Sequence, residues 1–240
     1  MTYAVLFDLD ETLLDRSTSL RAFLADQYQR YEQALGEVPY PVWEAKFIEL
    51  DARGHVHKSI LYPKILSAFG GNPSIADDLI EDYQTGCCVH ARPFDGMEET
   101  LSSLRARNIG LGLITNGETA FQTRHIHALG LDRVMDVILI SEAEGLRKPD
   151  PAIFHRALNR LKIAPERAMF IGDNPAVDIL GAHGAGLKTA WFPAAQAWPD
   201  HLPPNPGPQI ERLSQVLDLV PLQNSDDNHA PNSRDSRGRF

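Results

Sequence analysis

The chain opens on Tyr3-Ala4-Val5-Leu6-Phe7, a run with no strongly polar position, and the run ends in Asp8-Leu9-Asp10. A short apolar stretch rich in β-branched and aromatic residues predicts a strand covered on both faces, as in a parallel sheet. From 17 to 90 the pattern changes to a helical period. Leu20, Phe23, Leu24, Gln27, Tyr28 and Tyr31 form one stripe, and Trp43, Phe47, Ile48 and Leu50 a second. A third runs through Ile60, Leu61, Ile65, Leu66 and Phe69 until Gly70-Gly71-Asn72-Pro73 breaks it, leaving Ser74 to cap a fourth helix. No strand pattern interrupts this stretch, which reads as a helical insert. Beyond Pro93, Asp95 and Gly96, apolar runs expected as strands at 109–115, 137–140, 168–171 and 188–192 alternate with helical patterns at 97–107, 118–129, 151–161 and 175–185. That alternation predicts a parallel sheet within an α/β fold. Asp150-Pro151 and Asn174-Pro175 each set a capping side chain before a proline suited to the first helical turn. Prolines crowd 193–208, and Ile210, Leu213, Val216, Leu217 and Leu219 then form a last apolar helical stripe. Residues 223–240 are polar and aperiodic, and are expected to be disordered. The expected organisation is an α/β core from 1–16 and 91–222, a helical unit at 17–90, and a tail at 223–240.

Charge narrows the function classes. A net charge of -9 over 240 residues offers no basic field to nucleic acid or to an anionic membrane. An acidic protein that handles anions therefore needs local positive groups. The two cysteines, Cys87 and Cys88, are neighbours, and a bridge between adjacent residues is strained, so buried free thiols are expected rather than a disulfide framework. No apolar run reaches bilayer length, and no signal-like segment opens the chain; the expectation is a cytoplasmic protein without membrane partners.

The chemistry gathers at predicted strand ends, where ligands of parallel sheets sit. Asp8 and Asp10 follow the first strand. Asp10 with Thr12 also fits a helix cap, but an unpaired Asp8 in apolar surroundings would be costly, which favours a functional pair. Ile114-Thr115-Asn116-Gly117 offers a hydroxyl, an amide and backbone N–H groups before a helix; this suits an anion or, equally, an ordinary capping turn. Lys148 is held by Pro149 just ahead of a helix start. Phe170-Ile171-Gly172-Asp173 mirrors the first strand end, and Asp178, in the first turn of the next helix, can point back toward Asp173. Asp8 and Asp173 are hard oxygen donors suited to Mg²⁺, and Lys148 would help to neutralise phosphate. Phosphoryl transfer asks mainly for positioning and charge stabilisation, so a carboxylate nucleophile at Asp8 with proton transfer by Asp10 forms a consistent set. In the helical insert, Arg53, His55, His57 and Lys58 cluster at a glycine-broken junction. They are either a solvated helix end or a set of cations placed over the distal part of an anionic substrate.

Asp8-Leu9-Asp10-Glu11-Thr12, Thr115, Lys148-Pro149 and Gly172-Asp173 with Asp178 resemble the four ordered motifs of the haloacid dehalogenase-like (HAD) hydrolases, over 1–219. The resemblance implies a Rossmann-like three-layer core with an α-helical cap that closes over the site. It also implies Asp8 as nucleophile, Asp10 as acid/base with its carbonyl on the metal, and Thr115, Asn116 and Lys148 on phosphate. Asp173 would coordinate Mg²⁺, with Asp178 coordinating it or supporting its shell. The expected function is hydrolysis of a small phosphorylated metabolite. A haloacid dehalogenase or a phosphonate hydrolase of the family has less use for a second acid, so Asp10 argues against both. A phosphomutase would keep all four motifs, and a non-catalytic binding protein would have little need of them.

Overall fold

The computed structural model describes residues 3–35, 38–194 and 196–221; the expected tail at 223–240 lies outside them. β1 (Ala4–Phe7) is followed by four helices: α1 (Arg16–Leu35), α2 (Tyr40–Asp51), α3 (Lys58–Phe69) and α4 (Ala76–Gly86). Then come α5 (Met97–Ala106), β2 (Gly110–Thr115), α6 (Thr119–Ala128), β3 (Val137–Ile140), the short α7 (Ser141–Glu144) and α8 (Pro151–Leu161). β4 (Ala168–Gly172), α9 (Gly181–Gly184), β5 (Lys188–Trp191) and α10 (Val216–Leu219) complete the described chain.

The five strands form one parallel sheet in the order β3-β2-β1-β4-β5. Successive strand side chains leave opposite faces, and β1 shows this directly. Val5 and Phe7 join Leu111, Leu113, Met169 and Ile171 in a cluster closed by α5 and by Leu213 and Val216, whereas Ala4 and Leu6 join Phe170 in a second cluster closed by α8. Both faces of β1 are therefore dry, which is why its sequence carries no alternation. Helices α1–α4 have a cluster of their own, built on Phe23, Leu24, Trp43, Phe47, Tyr62 and Ile65. At about 25 cal/mol per Å² of apolar surface, each such aromatic contributes on the order of 2 kcal/mol or more.

Three sequence expectations change in detail. The cap before α4 is Asn72, whose Oδ1 accepts from the N–H of Ser74, so Ser74 is capped rather than capping. The predicted helix at 175–185 starts as a wider π turn over Pro175–Leu180 before α9. Asn174 Oδ1 accepts from the N–H groups of both Ala176 and Val177, while its carbonyl accepts from both Asp178 and Ile179, and this double use widens the first turn. The last stripe is helical only from Leu213, because the N–H of Ile210 donates to Trp191 O at 2.8 Å and extends the edge of β5. Among the described residues no helix is long and apolar enough to cross a membrane, and Cys87 and Cys88 are free.

Candidate active site

Four strand ends meet at one edge of the sheet. The N–H of Asp8 donates to Ile171 O at 2.9 Å, continuing the β1–β4 ladder by one bond. The chain then folds back on itself: the N–H groups of Leu13 and Leu14 both reach Leu9 O, and Glu11 takes a left-handed φ of 58°. This turn sets Asp8 inside, 7% exposed, and leaves Asp10 half-buried at the rim.

Lys148 is the hub. Its Nζ donates to Asp8 Oδ1 at 2.6 Å and lies 2.7 Å from Asp178 Oδ1, with the Phe170 ring beneath it. Burial works against its charge, but Asp178 and Asp8 outweigh burial and hold the ammonium above the ordinary lysine range. Asn116 clamps the lysine's backbone from both sides: its Nδ2 donates to Lys148 O and its Oδ1 accepts from Lys148 N, each at 2.9 Å. Its side chain therefore holds the lysine loop in place. Thr115, at the end of β2, is buried and faces Asp10 through an intervening amide, that of Gln122, whose Nε2 stands 2.7 Å from Thr115 Oγ1 and 2.8 Å from Asp10 Oδ2.

Asp173 and Asp178 follow β4. Asp178 Oδ2 accepts from Asn174 N at 3.0 Å, which turns its other oxygen to Lys148. Gly172 makes this approach possible, since a Cβ there would lie 2.5 Å from the Cβ of Asp178. Asp173 is anchored through its carbonyl by Trp191 Nε1 at 2.7 Å, and its Oδ2 accepts from both Arg53 Nη2 and Gln196 Nε2 at 3.0 Å. Burial pushes its carboxyl up to about 7, Asp178 adds to the rise, and Arg53 and Lys148 oppose it. Burial likewise drives Asp8 well above its ordinary value; Lys148 pulls it back, while Asp178, Asp173 and Asp10 push it further up.

Oxygen atoms of Asp8, Asp173 and Asp178 all lie within 4.8 Å of one another, and all three residues are buried. Such crowding of carboxylates disfavours their charged forms, and a hard divalent cation with oxygen ligands relieves it. Mg²⁺ fits this donor set in charge and chemistry.

The cation cluster of the insert divides. Arg53 reaches Asp173. Lys58 is buried, its Nζ 2.5 Å from Asp51 Oδ1. His57 caps α3 by accepting from Ser59 N, and its Nε2 lies 3.0 Å from Glu118 Oε1; His55 is exposed. Gln122 and Gln196 were not singled out by sequence reasoning, since a glutamine in a helix or a proline-rich loop has the same pattern as any solvated polar residue.

This chain is 26% identical to a glyceraldehyde 3-phosphate phosphatase of Pyrococcus furiosus, with 95% of this chain and 97% of the relative covered. It is 29% identical to a phosphoserine phosphatase of Thermus thermophilus, covering 78% and 87% of the two chains. Among solved structures, a 2-haloacid dehalogenase from Pseudomonas syringae pv. Tomato superposes with a TM-score of 0.59 at 31% identity, over 91% of this chain and 98% of that one. The haloacid dehalogenase-like hydrolase family model matches residues 5–192, across every strand end described above, and the chain belongs to that family.

Proposed function

We propose that this protein is a Mg²⁺-dependent phosphatase that hydrolyses a phosphate monoester of a small metabolite through an aspartyl-phosphate on Asp8. The observation that carries the reading is the division of labour between the two acids of the first loop: Asp8 is buried against Lys148, whereas Asp10 stands half-buried at the rim, held by Gln122. Asp8 forms a bond to phosphorus as the ester O–P bond breaks, and Asp10 gives its proton to the departing alcohol. Asp10 then takes a proton from the water that cleaves the acyl phosphate, which frees inorganic phosphate and restores Asp8. Asp8 and Asp173, with Asp178 in support, would hold Mg²⁺, together with the Asp10 carbonyl. The bound ion supplies charge neutralisation between carboxylates and phosphate. Lys148 keeps the nucleophile and the incoming phosphate together, and the Thr115 hydroxyl and the backbone N–H groups after β2 receive phosphate oxygens. The helical insert acts as a cap that brings Arg53 over Asp173. The phosphatase relatives in Pyrococcus furiosus and Thermus thermophilus support a small phosphorylated substrate.

The likeness to a haloacid dehalogenase supports a second reading, displacement of halide by Asp8, in which Asp10 has no proton to transfer. A panel of phosphate esters assayed with Mg²⁺, beside 2-haloacids, separates the two. Phosphate release is expected from the esters, together with no halide release. Asp8→Asn is expected to stop phosphate release in a protein that stays folded, and activity within a few-fold of wild type would eliminate Asp8 as nucleophile.

A further inference from the structure

Gln122 is 2% exposed and rises from α6 beneath the phosphate-binding turn. It fits there because Gly117 has no side chain: a Cβ at that position would stand 2.8 Å from Gln122 Cγ. Its Nε2 is 2.8 Å from Asp10 Oδ2 and 2.7 Å from Thr115 Oγ1. Among the described residues no other side chain hydrogen-bonds the Asp10 carboxylate, and Gln122 Oε1 is buried without a partner.

An amide nitrogen carries two N–H donors and cannot accept, so Asp10 Oδ2 and Thr115 Oγ1 must both accept from it, with the Asn116 carbonyl a longer third acceptor at 3.4 Å. The opposite orientation would set Oε1 against the Asp10 carboxylate. Thr115 Oγ1 therefore has to turn its own hydrogen elsewhere, which makes it a donor for phosphate. Asp10 Oδ2 is likewise committed as an acceptor, so a proton carried by Asp10 resides on Oδ1. A glutamine serving stability alone would have both ends satisfied; this one leaves its oxygen buried and unpaired. Its paired end is aimed at two groups of the reaction.

We propose that Gln122 is a positioning residue for phosphoryl transfer, which holds Asp10 so that its Oδ1–H faces the leaving oxygen and its Oδ2 stays unprotonated. The proposal rests on the phosphatase reading above. In the first half-reaction the Oδ1–H bond breaks as the ester O–P bond breaks, and the proton goes to the departing alkoxide. In the second, a proton of the attacking water returns to Oδ1.

The test compares kcat/KM for an alkyl ester, glycerol phosphate, with that for 4-nitrophenyl phosphate, whose leaving group needs no proton. Gln122→Leu should lower kcat/KM for the alkyl ester by about 10–100-fold more than for the aryl ester, a part of the typical general-acid effect. Any loss of Thr115 orientation enters both esters alike. Gly117→Ala, which displaces the amide without removing it, should shift the same ratio in the same direction. In an Asp10→Asn background, Gln122→Leu should leave the ratio of the two esters unchanged. Equal losses on both esters, or an undiminished effect of Gln122→Leu on that ratio in the Asp10→Asn protein, would overturn the assignment. A wild-type protein that releases phosphate from no ester of the panel would instead overturn the phosphatase reading, and this proposal with it.

Discussion

Arg53 and Lys58 leave the same turn for different surroundings, and Asp51 decides which goes where. Asp51 Oδ2 accepts from Arg16 Nη2 at 2.9 Å and from Gly54 N at 2.8 Å, and Oδ1 holds Lys58. Those bonds fix a turn in which Ala52 and Arg53 both adopt left-handed backbone, φ 46° and 60°, at a cost of roughly 1–2 kcal/mol each. Lys58 is thereby drawn in over the Tyr83 ring, 4.7 Å from its centroid; burial pulls its pKa below the ordinary lysine value, with Asp51 opposing. Arg53, its side chain 48% exposed, is turned out to Asp173. The two alanine variants should therefore differ in kind. Arg53→Ala should change urea unfolding by no more than about 1 kcal/mol, because the arginine end of its pair with Asp173 is half exposed. It should also cut kcat/KM for the best metabolite ester about ten-fold or more, ~1.4 kcal/mol, while sparing a small aryl phosphate. Lys58→Ala should lower stability by about 3 kcal/mol, the low end for removing half of a buried pair, because Arg16 still pairs with Asp51. A Lys58→Ala protein of wild-type stability would refute that division. At this scale the sequence was informative where an acid stood at the end of an apolar run, as with Asp8 and Asp173, or where a proline fixed a lysine just ahead of a helix start, as with Lys148. It was silent where the group is an ordinary amide whose role exists only across the fold, as with Gln122 and Gln196. It placed Arg53 and Lys58 in one cluster because charge is visible in a string of residues and burial is not.

Helix α6 forms a seam between the sheet and the insert. Phe121 stacks on Tyr83 of α4, centroids 5.3 Å apart, and the His125 ring centroid lies 4.6 Å from that of Phe121. Burial holds the His125 imidazole below its ordinary 6.5, Asp10 opposes the shift, and Arg16 and Arg124 add to it. The folded protein thus binds fewer protons here than the unfolded chain. The corresponding stability is present above 6.5 and is lost as pH falls through the folded-state value. Between pH 7 and pH 5 the wild-type Tm should drop by more than that of His125→Phe, measured by calorimetry at matched ionic strength; parallel curves would remove His125 from the account. Elements were largely legible because their periods are set by burial. Leu20, Phe23 and Leu24 repeat with the helix and all join one cluster. What the period could not show is competition for backbone groups. Asn174 widens the turn before α9 by capping two N–H groups, and Ile210 leaves the helical stripe because the open edge of β5 takes its N–H.

For the molecule as a whole, an acidic protein has buried three further carboxylates around Lys148, and the proposed Mg²⁺ is the group that makes this affordable. Excess chelator should stop turnover and Mg²⁺ restore it. The ion should also raise Tm without any substrate, by about 2.7 kcal/mol of stability at a hundred times its Kd, and by much less in Asp173→Asn. Undiminished turnover in chelator, with metal content checked, would refute the site. The sheet order carries a consequence of another kind. β1 lies in the middle, with β2 on one side and β4, beginning at Ala168, on the other. A ribosome delivers β1 well before β4, and one edge of β1 stays bare until Ala168 and the residues after it have been made. Helices α1–α4, whose cluster is local in sequence, can assemble during that wait. The Asp8 loop cannot, since its first bond is to Ile171. A nascent chain that stops short of β4 would carry Asp8 and Lys148 without Ile171, Asp173 and Asp178, so the proposed site cannot assemble until β4 and the turn after it have emerged.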